Sequence, residues 1–193
     1  MTHYLALLPL VFAVCANAAQ ITRVEGKVRF EGKPVSKGFV IQEPGELSTA
    51  AGSKATVLLS DKDGKSEIAL APESRCRIEP GDQAKAHVLL NGSLRARLQD
   101  KTTREKFALR TSTAVMGVRG TDFMAVFQPL LEESEIVVFE GTVKFGSSQD
   151  EADTKDVAKG YWGGIGGRYG RTVSNLIQLP PHALREFDTK SAF

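Results

Sequence analysis

The sequence is poor in residues that could cross-link the chain. It contains two cysteines in 193 residues, Cys15 and Cys76, and Cys15 lies in an N-terminal apolar segment that we expect to be removed. A single remaining thiol cannot close an intramolecular disulfide, so stability must come from apolar burial and backbone pairing. Cys76 and Ile78 share one face of an extended segment. This predicts a core position for Cys76, with a reactive thiol or an intermolecular disulfide as the alternative.

The chain also lacks a long hydrophobic run. Residues 5–14 form an apolar run of ten, which is too short to span the roughly 30 Å core of a bilayer. Small residues at both ends of the following 16–18 segment are typical of a signal peptidase site. We therefore predict a signal peptide over residues 1–18 and a periplasmic or secreted protein without a transmembrane span. A lipoprotein modified at Cys15 is less favoured because Val14 precedes it, and a frayed N-terminal strand is a further alternative.

An excess of one charge sign is missing as well. The 25 Lys and Arg residues and 23 Asp and Glu residues give a net charge of +2. Nucleic-acid-binding proteins usually carry a strong basic excess, so we expect no nucleic-acid partner. One local basic cluster is present, and it is either a solvated strand edge protected by charge or a docking face for an acidic protein surface, an anionic glycan or a lipid head group. Its members are Arg95, Arg97, Lys101, Arg104, Lys106 and Arg110.

No constellation for catalysis or metal binding is recognisable. His87 and His182 lie far apart, and neither has a second ligand at metal spacing. Residues 61–64 (DKDG) resemble part of a calcium loop, but the positions that should hold its first and last ligands are leucines, so a hairpin turn is predicted instead. No Gly-x-Ser-x-Gly sequence or prominent pair of acids occurs. We expect a protein that is not an enzyme and has no metal or cofactor.

What the sequence does contain is alternation of apolar and polar residues from residue 22 to about 145. Such short alternating runs, separated by Gly, Asp, Asn and Pro, are typical of half-buried strands and turns. Apolar spacing of helical type is absent before Pro181, which could begin one short helix. The density of strands predicts an all-β domain. The predicted strands are 22–30, 38–42, 54–60, 66–71, 75–79, 87–90, 94–98, 107–111, 122–127, 135–139 and 142–146, with a further short strand near Val157.

One short pattern occurs three times. Each copy has an acidic or Asn residue, then Gly, a polar residue, an aliphatic residue and a basic residue. Because Gly adopts conformations that are costly for other residues, each copy predicts a bend or bulge, after which the aliphatic residue points inward and the basic residue outward. Stacked units of this kind predict a twisted β-solenoid-like fold or a curled two-sheet domain; a shared strand-start signal without true repetition is the alternative. The copies are VEGKVRF at 24–30, LNGSLRA at 90–96 and FEGTVKF at 139–145.

The C-terminal part is rich in glycine, with six in residues 160–171. Neither a P-loop nor a dinucleotide-binding spacing is present. Residues 160–171 are therefore predicted to be flexible, with Tyr161, Trp162 and Tyr169 packing on the surface of the domain. Residues 164–193 are predicted to form a Gly-rich C-terminal tail that could contain the short helix. A ligand or partner contact through these rings is the alternative.

The most distinctive segment is TSTAVMGVRGTDFMAVF at 111–127. Gly120 precedes an alternating strand, where a missing side chain usually marks a bulge or a close approach of backbone. Both faces of that strand are apolar, so it should be central in the sheet. Arg119 lies beside this apolar sequence and needs a carboxylate or carbonyl partner, since an unpaired buried charge is very costly.

These residues resemble the periplasmic domain of the FecR family. The shared pattern is a Thr-rich start, a V-R-G-T sequence with an aromatic residue two positions on, and a later E-G-x-V strand. The resemblance covers roughly residues 22–163 and implies an all-β domain over residues 19–163 that has no known catalytic chemistry and is often involved in cell-surface signalling. The motif residues, to which we assign a structural role, are Thr113, Val118, Arg119, Gly120, Thr121, Phe123, Glu140 and Gly141.

In the best-known members of that family, a cytoplasmic segment contacts a sigma factor, one helix spans the inner membrane and the periplasmic part contacts an outer-membrane receptor. The present sequence shows neither of the first two, so we expect only the envelope binding module to be shared. The predicted function is a non-enzymatic exported module that binds another envelope protein through a strand edge or the basic cluster. The alternatives are a domain that binds carbohydrate or surface polymer through the aromatic, Gly-rich segment, and a sensor component encoded beside a sigma factor.

Overall fold

The computed structural model describes residues 18–60, 65–81, 85–98, 107–118 and 120–191. These residues form seventeen strands, a 3₁₀ turn at Gly167–Tyr169 and the predicted short C-terminal helix, α1 (Pro181–Lys190). Within these ranges no helix has the length and apolarity needed to cross a membrane. The strands are β1 (Ala19–Glu25), β2 (Val28–Phe30), β3 (Lys33–Pro34), β4 (Val40–Ile41), β5 (Gly45–Thr49), β6 (Lys54–Ser60), β7 (Lys65–Leu70), β8 (Arg75–Ile78), β9 (His87–Leu98), β10 (Phe107–Arg110), β11 (Ala114–Val118), β12 (Asp122–Gln128), β13 (Glu133–Glu140), β14 (Thr142–Ser147), β15 (Thr154–Ala158), β16 (Tyr161–Ile165) and β17 (Ile177–Gln178).

The strands make one continuous sheet that curls but stays open, without closing into a barrel. Its centre is the long strand β9. Residues 87–91 of β9 pair with β8 and β10, whereas residues 92–98 pair with β7 and β12. Strand β9 therefore belongs to two halves of the sheet. Half A has the strand order β4-β1-β6-β7-β9-β12-β13-β16-β17, and half B has the order β3-β2-β5-β8-β9-β10-β11-β14-β15.

Both halves bury their inward side chains in one shared core. Ile21 and Ile136 enter it from half A, and Leu47 and Phe145 enter it from half B; all four are fully buried. Burying one such side chain contributes roughly 1.5–3 kcal/mol, so this core is the main source of stability. Cys76 lies in the same core, and burial raises the pKa of its thiol to about 12. The predicted core position of Cys76 is confirmed.

The recurring Gly pattern marks places where the chain crosses from one half to the other. Gly26 joins β1 to β2 and Gly141 joins β13 to β14, with φ angles of 72° and 81°. Gly92, with φ of 83°, makes the same crossing within β9. Such positive φ angles favour glycine, which explains why the pattern recurs. The aliphatic residues that follow, Val28, Leu94 and Val143, are buried, as predicted.

The predicted all-β class is confirmed, and of the two predicted arrangements the curled sheet is the one observed. Successive segments reverse direction, so the ladders between the described strands are antiparallel except for that of β9 with β10. Stacked solenoid coils are not shown. The strand predicted at 22–30 is divided at Gly26, and those predicted at 87–90 and 94–98 are one strand. Strands β5 and β11 were not predicted, and the turn predicted at 61–64 lies outside the described residues.

The glycine-rich segment is part of the sheet and not a flexible tail. Strand β16 pairs with β13, and Ile165 and Val173 belong to the shared core. The 3₁₀ turn that follows is held by Glu133, whose buried carboxylate accepts a hydrogen bond from the backbone N–H of Arg168 at 2.8 Å. Small glycines allow this close packing: a side chain at Gly167 would collide with Glu133 and with the backbone oxygen of Leu131.

Candidate functional site

The outer face of half A brings together members of two sets of residues that the sequence suggested for binding. Side chains that alternate with core residues on β9, β12, β13 and β16 point away from the shared core. They include two arginines of the basic cluster and one aromatic residue of the Gly-rich segment. We call this surface the helix-bearing face. Its residues are Arg95, Arg97, Asp122, Met124, Val126, Glu135, Val137, Phe139 and Trp162.

Helix α1 lies on this face over a second apolar cluster, separate from the shared core. Met124, Val137 and Phe139 are buried beneath it, and Leu184 and Phe187 of the helix pack against them. The helix begins at a proline, whose fixed φ and missing N–H suit the first helical position. Residues three and four apart share one face of a helix, which brings a leucine, a phenylalanine and an aspartate of α1 toward the sheet.

Arg95 is the buried cation of the helix-bearing face, with 4% of its side chain exposed. Its Nε and Nη2 atoms donate to the two carboxylate oxygens of Asp122 at 2.7 and 2.8 Å. Its Nη1 atom lies 2.8 Å from Oδ1 of Asp188 on the helix, and its guanidinium lies 4.3 Å from the centre of the Phe139 ring. Burial lowers the pKa of Arg95, but hydrogen bonds and charges from the two aspartates raise it by more.

This burial of Arg95 corrects the expectation that the basic residue after each Gly bend faces solvent. The alternation places Arg95 away from the shared core, as expected, but α1 covers it. The corresponding residues of the other two copies, Arg29 and Lys144, are exposed. Because Arg95 already holds two carboxylates, it is a structural ion-pair centre and not an exposed binding group.

The described members of the basic cluster do not form one face. Arg97 is 40% exposed and donates to Asp122 at 3.2 Å on the helix-bearing face. Arg110 is exposed on β10, in half B, where it pairs with Val115 of β11. The prediction that Arg95, Arg97 and Arg110 lie together on one docking face is therefore wrong. The remaining members, Lys101, Arg104 and Lys106, lie outside the described residues.

The aromatic residues of the Gly-rich segment are engaged with their own protein. The rings of Trp162 and Tyr169 pack edge to face with centroids 5.1 Å apart, and both donate to the carboxylate of Glu135, at 3.1 and 2.7 Å. Burial raises the pKa of the Tyr169 hydroxyl, and so does the bond to Glu135. Tyr161 packs against the shared core. Because these rings are already bound within the protein, they do not form a free platform for a sugar.

Two parts of the predicted motif meet at one corner of the sheet. A Cβ atom at Gly141 would lie 2.6 Å from Cγ2 of Thr121 and 3.0 Å from the carbonyl oxygen of Gly120. The close backbone approach that the sequence predicted at Gly120 thus involves Gly141, which belongs to the E-G-x-V part of the motif. The backbone oxygen of Thr121 accepts a hydrogen bond from Leu98 at 2.8 Å, which ties this corner to β9. Arg119, which directly precedes Gly120, lies outside the described residues.

The other motif residues lie further apart. Val118 and Phe123 are buried in the shared core, Glu140 is exposed at the end of β13, and Thr113 lies at the opposite end of β11, with its hydroxyl oxygen 2.7 Å from that of Ser134. The described motif residues therefore maintain corners and core contacts of the sheet and do not converge on one reactive centre.

The described residues contain no group of three or more His, Cys, Asp or Glu side chains arranged to hold a metal ion. Burial lowers the pKa of His87 to about 4, so its imidazole is neutral at physiological pH. Its Nδ1 accepts the backbone N–H of Glu79 at 3.2 Å, and its ring stacks on Phe107 with centroids 5.0 Å apart. His182 lies at the start of α1, exposed. These contacts indicate a structural role for His87.

Comparison with known proteins agrees with the motif and the fold. A family model described as FecR protein matches residues 45–144, which is just over half of the chain. A crystal structure at 1.65 Å of a protein from Parabacteroides distasonis, classed as an anti-sigma factor, has a TM-score of 0.58 and 15% identity over 74% of this chain, which spans 63% of the length of that one. A second structure from that organism, at 2.50 Å, has a TM-score of 0.47 and 12% identity with the same coverage. No curated protein matches significantly. The V-R-G-T corner, the curled sheet and the family match lead to one conclusion: this chain belongs to the FecR protein family.

Proposed function

We propose that this protein is an exported, non-enzymatic interaction module of the cell envelope that takes part in surface signalling by binding another protein. The family is regulatory and not enzymatic, and the matched structure is classed as an anti-sigma factor. The apolar segment before residue 19 supports export. Because the described members of the basic cluster, Arg95, Arg97 and Arg110, are divided between two faces, an exposed strand edge is the better candidate for the binding surface.

The observation that carries this proposal is the geometry of β15. Its five residues pair with β14 on one side, and among the described strands no other shares a register with it; β16, which follows it in the chain, pairs with β13 and β17 instead. A strand edge of this kind can bind an extended segment of a partner through backbone hydrogen bonds. The exposed charge of Asp156 would discourage unspecific pairing between copies. Buried Val157 fixes the strand in the sheet, and so does Lys155, whose Nζ donates to the backbone oxygens of Val173 and Ser174, each at 2.9 Å.

The hydrogen bonds around β15 identify which backbone groups are available. Lys159 donates to Gly141, and Ser147 donates to Asp153, so alternate residues 153, 155, 157 and 159 face β14. The N–H and C=O groups of Asp156 and Ala158 and the C=O of Thr154 consequently face away from β14, whereas the N–H of Thr154 donates to the backbone oxygen of Ala152 at 3.0 Å. An incoming strand would bind to Asp156 and Ala158 and to the carbonyl of Thr154.

A pair of variants at one position tests the proposal. Asp156→Pro removes an outward N–H and leaves the ladder with β14 intact, because proline is tolerated on the open side of an edge strand. Asp156→Ala removes the same charge and keeps the N–H. Protein purified from envelope extracts should yield a cross-linked partner, identified by mass spectrometry, with the native chain and Asp156→Ala, but not with Asp156→Pro.

The expected partner complex also slows hydrogen exchange at the amides of residues 156 and 158. Equal capture by the proline and alanine variants, with equal melting temperatures, would show that β15 is not the binding edge. Export is tested separately, since N-terminal sequencing of the envelope protein should begin at Ala19. A sigma factor gene beside the gene for this chain would support a role in surface signalling.

A further inference from the structure

A cavity of about 390 Å³ opens where the turn between β12 and β13 meets the glycine-rich segment. Its walls come from Glu132 in that turn, from Thr113, Ser147 and Gln149 near the ends of β11 and β14, and from Ile165, three glycines and Arg171 of the glycine-rich segment. The walls fit closely, because a side chain at Gly166 would collide with the carbonyl oxygen of Glu132. Glu132 itself has a φ angle of 51°. This conformation is costly for a residue with a side chain and often occurs at binding sites.

Ser147 offers a hydroxyl donor to this cavity. The residue is 7% exposed, and its Oγ atom accepts backbone N–H groups from Gln149 at 3.1 Å and from Asp150 at 3.3 Å. A hydroxyl oxygen has two acceptor positions, and both are occupied. Its O–H group must therefore act as a donor, and within the described residues it has no protein acceptor.

A chain of three hydroxyls directs a second donor toward the same cavity. Thr111 accepts the N–H groups of Thr113 and Ala114 at 3.2 and 2.9 Å, so its O–H donates to the hydroxyl of Ser134, 2.7 Å away. Ser134 is fully buried, and its O–H then donates to the hydroxyl of Thr113 at 2.7 Å. The O–H of Thr113, which lines the cavity, has no acceptor left in this chain of bonds.

The cavity also has one side chain of each charge. Arg171 and Glu132 both line it and are both exposed. Neither side chain makes an ion pair or hydrogen bond within the described part of the protein. A ligand that matches these groups carries an anionic group with two acceptor oxygens, for the hydroxyls and the arginine, and a cationic donor for the glutamate.

We propose that this cavity binds a free α-amino acid as its zwitterion. The carboxylate of the ligand receives the O–H groups of Ser147 and Thr113 and lies near Arg171, while its ammonium group donates to Glu132. The volume leaves room for the side chain of the amino acid. This site is separate from the partner edge on β15 and does not depend on it.

Titration with free glycine tests the site, with acetate, methylamine and inorganic phosphate as comparison probes. Amide chemical shifts of Ser147, Gly166 and Gly167 in the full chain report binding. Glycine should shift them saturably, and acetate should bind about fivefold more weakly because it lacks the partner of Glu132, which is the factor expected from an exposed ion pair of about 1 kcal/mol. Absence of saturable shifts with glycine would refute the proposal, as would tighter binding of phosphate than of glycine.

Three exposed positions provide variants that leave the core untouched. Arg171→Gln should weaken glycine binding about fivefold, whereas the control Arg185→Gln, which removes the same charge from the outer side of α1, should leave it unchanged. Glu132→Gln should abolish the preference for glycine over acetate. Equal weakening by Arg171→Gln and Arg185→Gln would show a general effect of charge and overturn the assignment, and so would a preference for glycine that survives Glu132→Gln.

Discussion

The contact between Gly141 and the V-R-G-T corner leads to a prediction in which one glycine is compared with another. Gly141 and Gly160 both connect strands, and their φ angles are 81° and 83°. An alanine at either position therefore meets the same backbone cost. The two positions differ in their surroundings, since a Cβ atom at Gly160 meets no other atom within 4 Å.

The difference in stability follows from these surroundings. An L-residue in the left-handed region costs roughly 1–2 kcal/mol, and this is the whole expected effect of Gly160→Ala. At Gly141 the new Cβ would also lie 2.6 Å from Cγ2 of Thr121 and 3.0 Å from the oxygen of Gly120. Thr121 is buried and has little room to move, and overpacking of this kind costs about 1–3 kcal/mol. Gly141→Ala should therefore lower the free energy of unfolding by about 2–5 kcal/mol.

Urea unfolding of the native chain and both variants, followed by circular dichroism, gives the free energies from the midpoints and slopes. The slopes should stay unchanged, because both variants keep the fold. Equal losses for the two alanines would contradict the proposed packing of Gly141 against Thr121. A Gly141→Ala protein as stable as the native chain would remove the structural role assigned to this part of the motif.

Two further predictions concern buried ionisable groups. Arg95→Ala should lower the free energy of unfolding by about 3 kcal/mol, because it leaves Asp122 without its main partner. Asp188→Asn should lower it by less than about 1 kcal/mol, since the side chain of Asp188 is 57% exposed. A larger loss for Asp188→Asn than for Arg95→Ala in urea unfolding would contradict the geometry of this ion pair. Burial lowers the pKa of His87 from 6.5 to about 4, so between these values the unfolded chain binds the extra proton. Stability should therefore fall as the pH drops from 6.5 to 4, by up to about 3 kcal/mol, and this slope should flatten in His87→Gln; identical slopes measured by urea unfolding across that pH range would exclude the assignment.

Local patterns were sufficient for much of the sheet and insufficient where distant segments decide the outcome. Alternation predicted β6 and β7 closely, because inward and outward side chains largely differ in polarity along them, and β12 was located by a run of residues that is apolar on both faces. The copy of the pattern at 90–96 predicted a bend at Gly92 between two separate strands, 87–90 and 94–98, yet β9 continues through it. A glycine at positive φ suits both a turn and a bend, and the bend is held by Ser74, whose hydroxyl accepts the N–H of Ser93 at 2.9 Å.

The same limit applies to the helix-bearing face. Alternation correctly placed Arg95 away from the shared core, but its burial depends on Asp188, more than ninety positions later in the chain. Glu135 gave no local signal for its bonds to Trp162 and Tyr169, since a glutamate on a strand is ordinarily a solvated residue. The Gly-rich segment suggested mobility because its glycines lack side chains, whereas these same glycines let it pack closely against β13 and the preceding turn.

The central position of β9 has a consequence for how the sheet can assemble. All strands before β9 lie on one of its sides in both halves, and all strands after it lie on the other. As the chain leaves the ribosome, β1 to β8 can pair among themselves, and β9 then offers a finished edge on which β10 to β17 are added in nearly sequential order. Most contacts in the sheet nevertheless join residues twelve or more positions apart, so each added strand must find a partner that is distant in sequence, which makes assembly slow compared with that of a helical domain. Helix α1, the last element to emerge, then reaches back to Arg95 and covers the outer side of β9 when both flanks are in place.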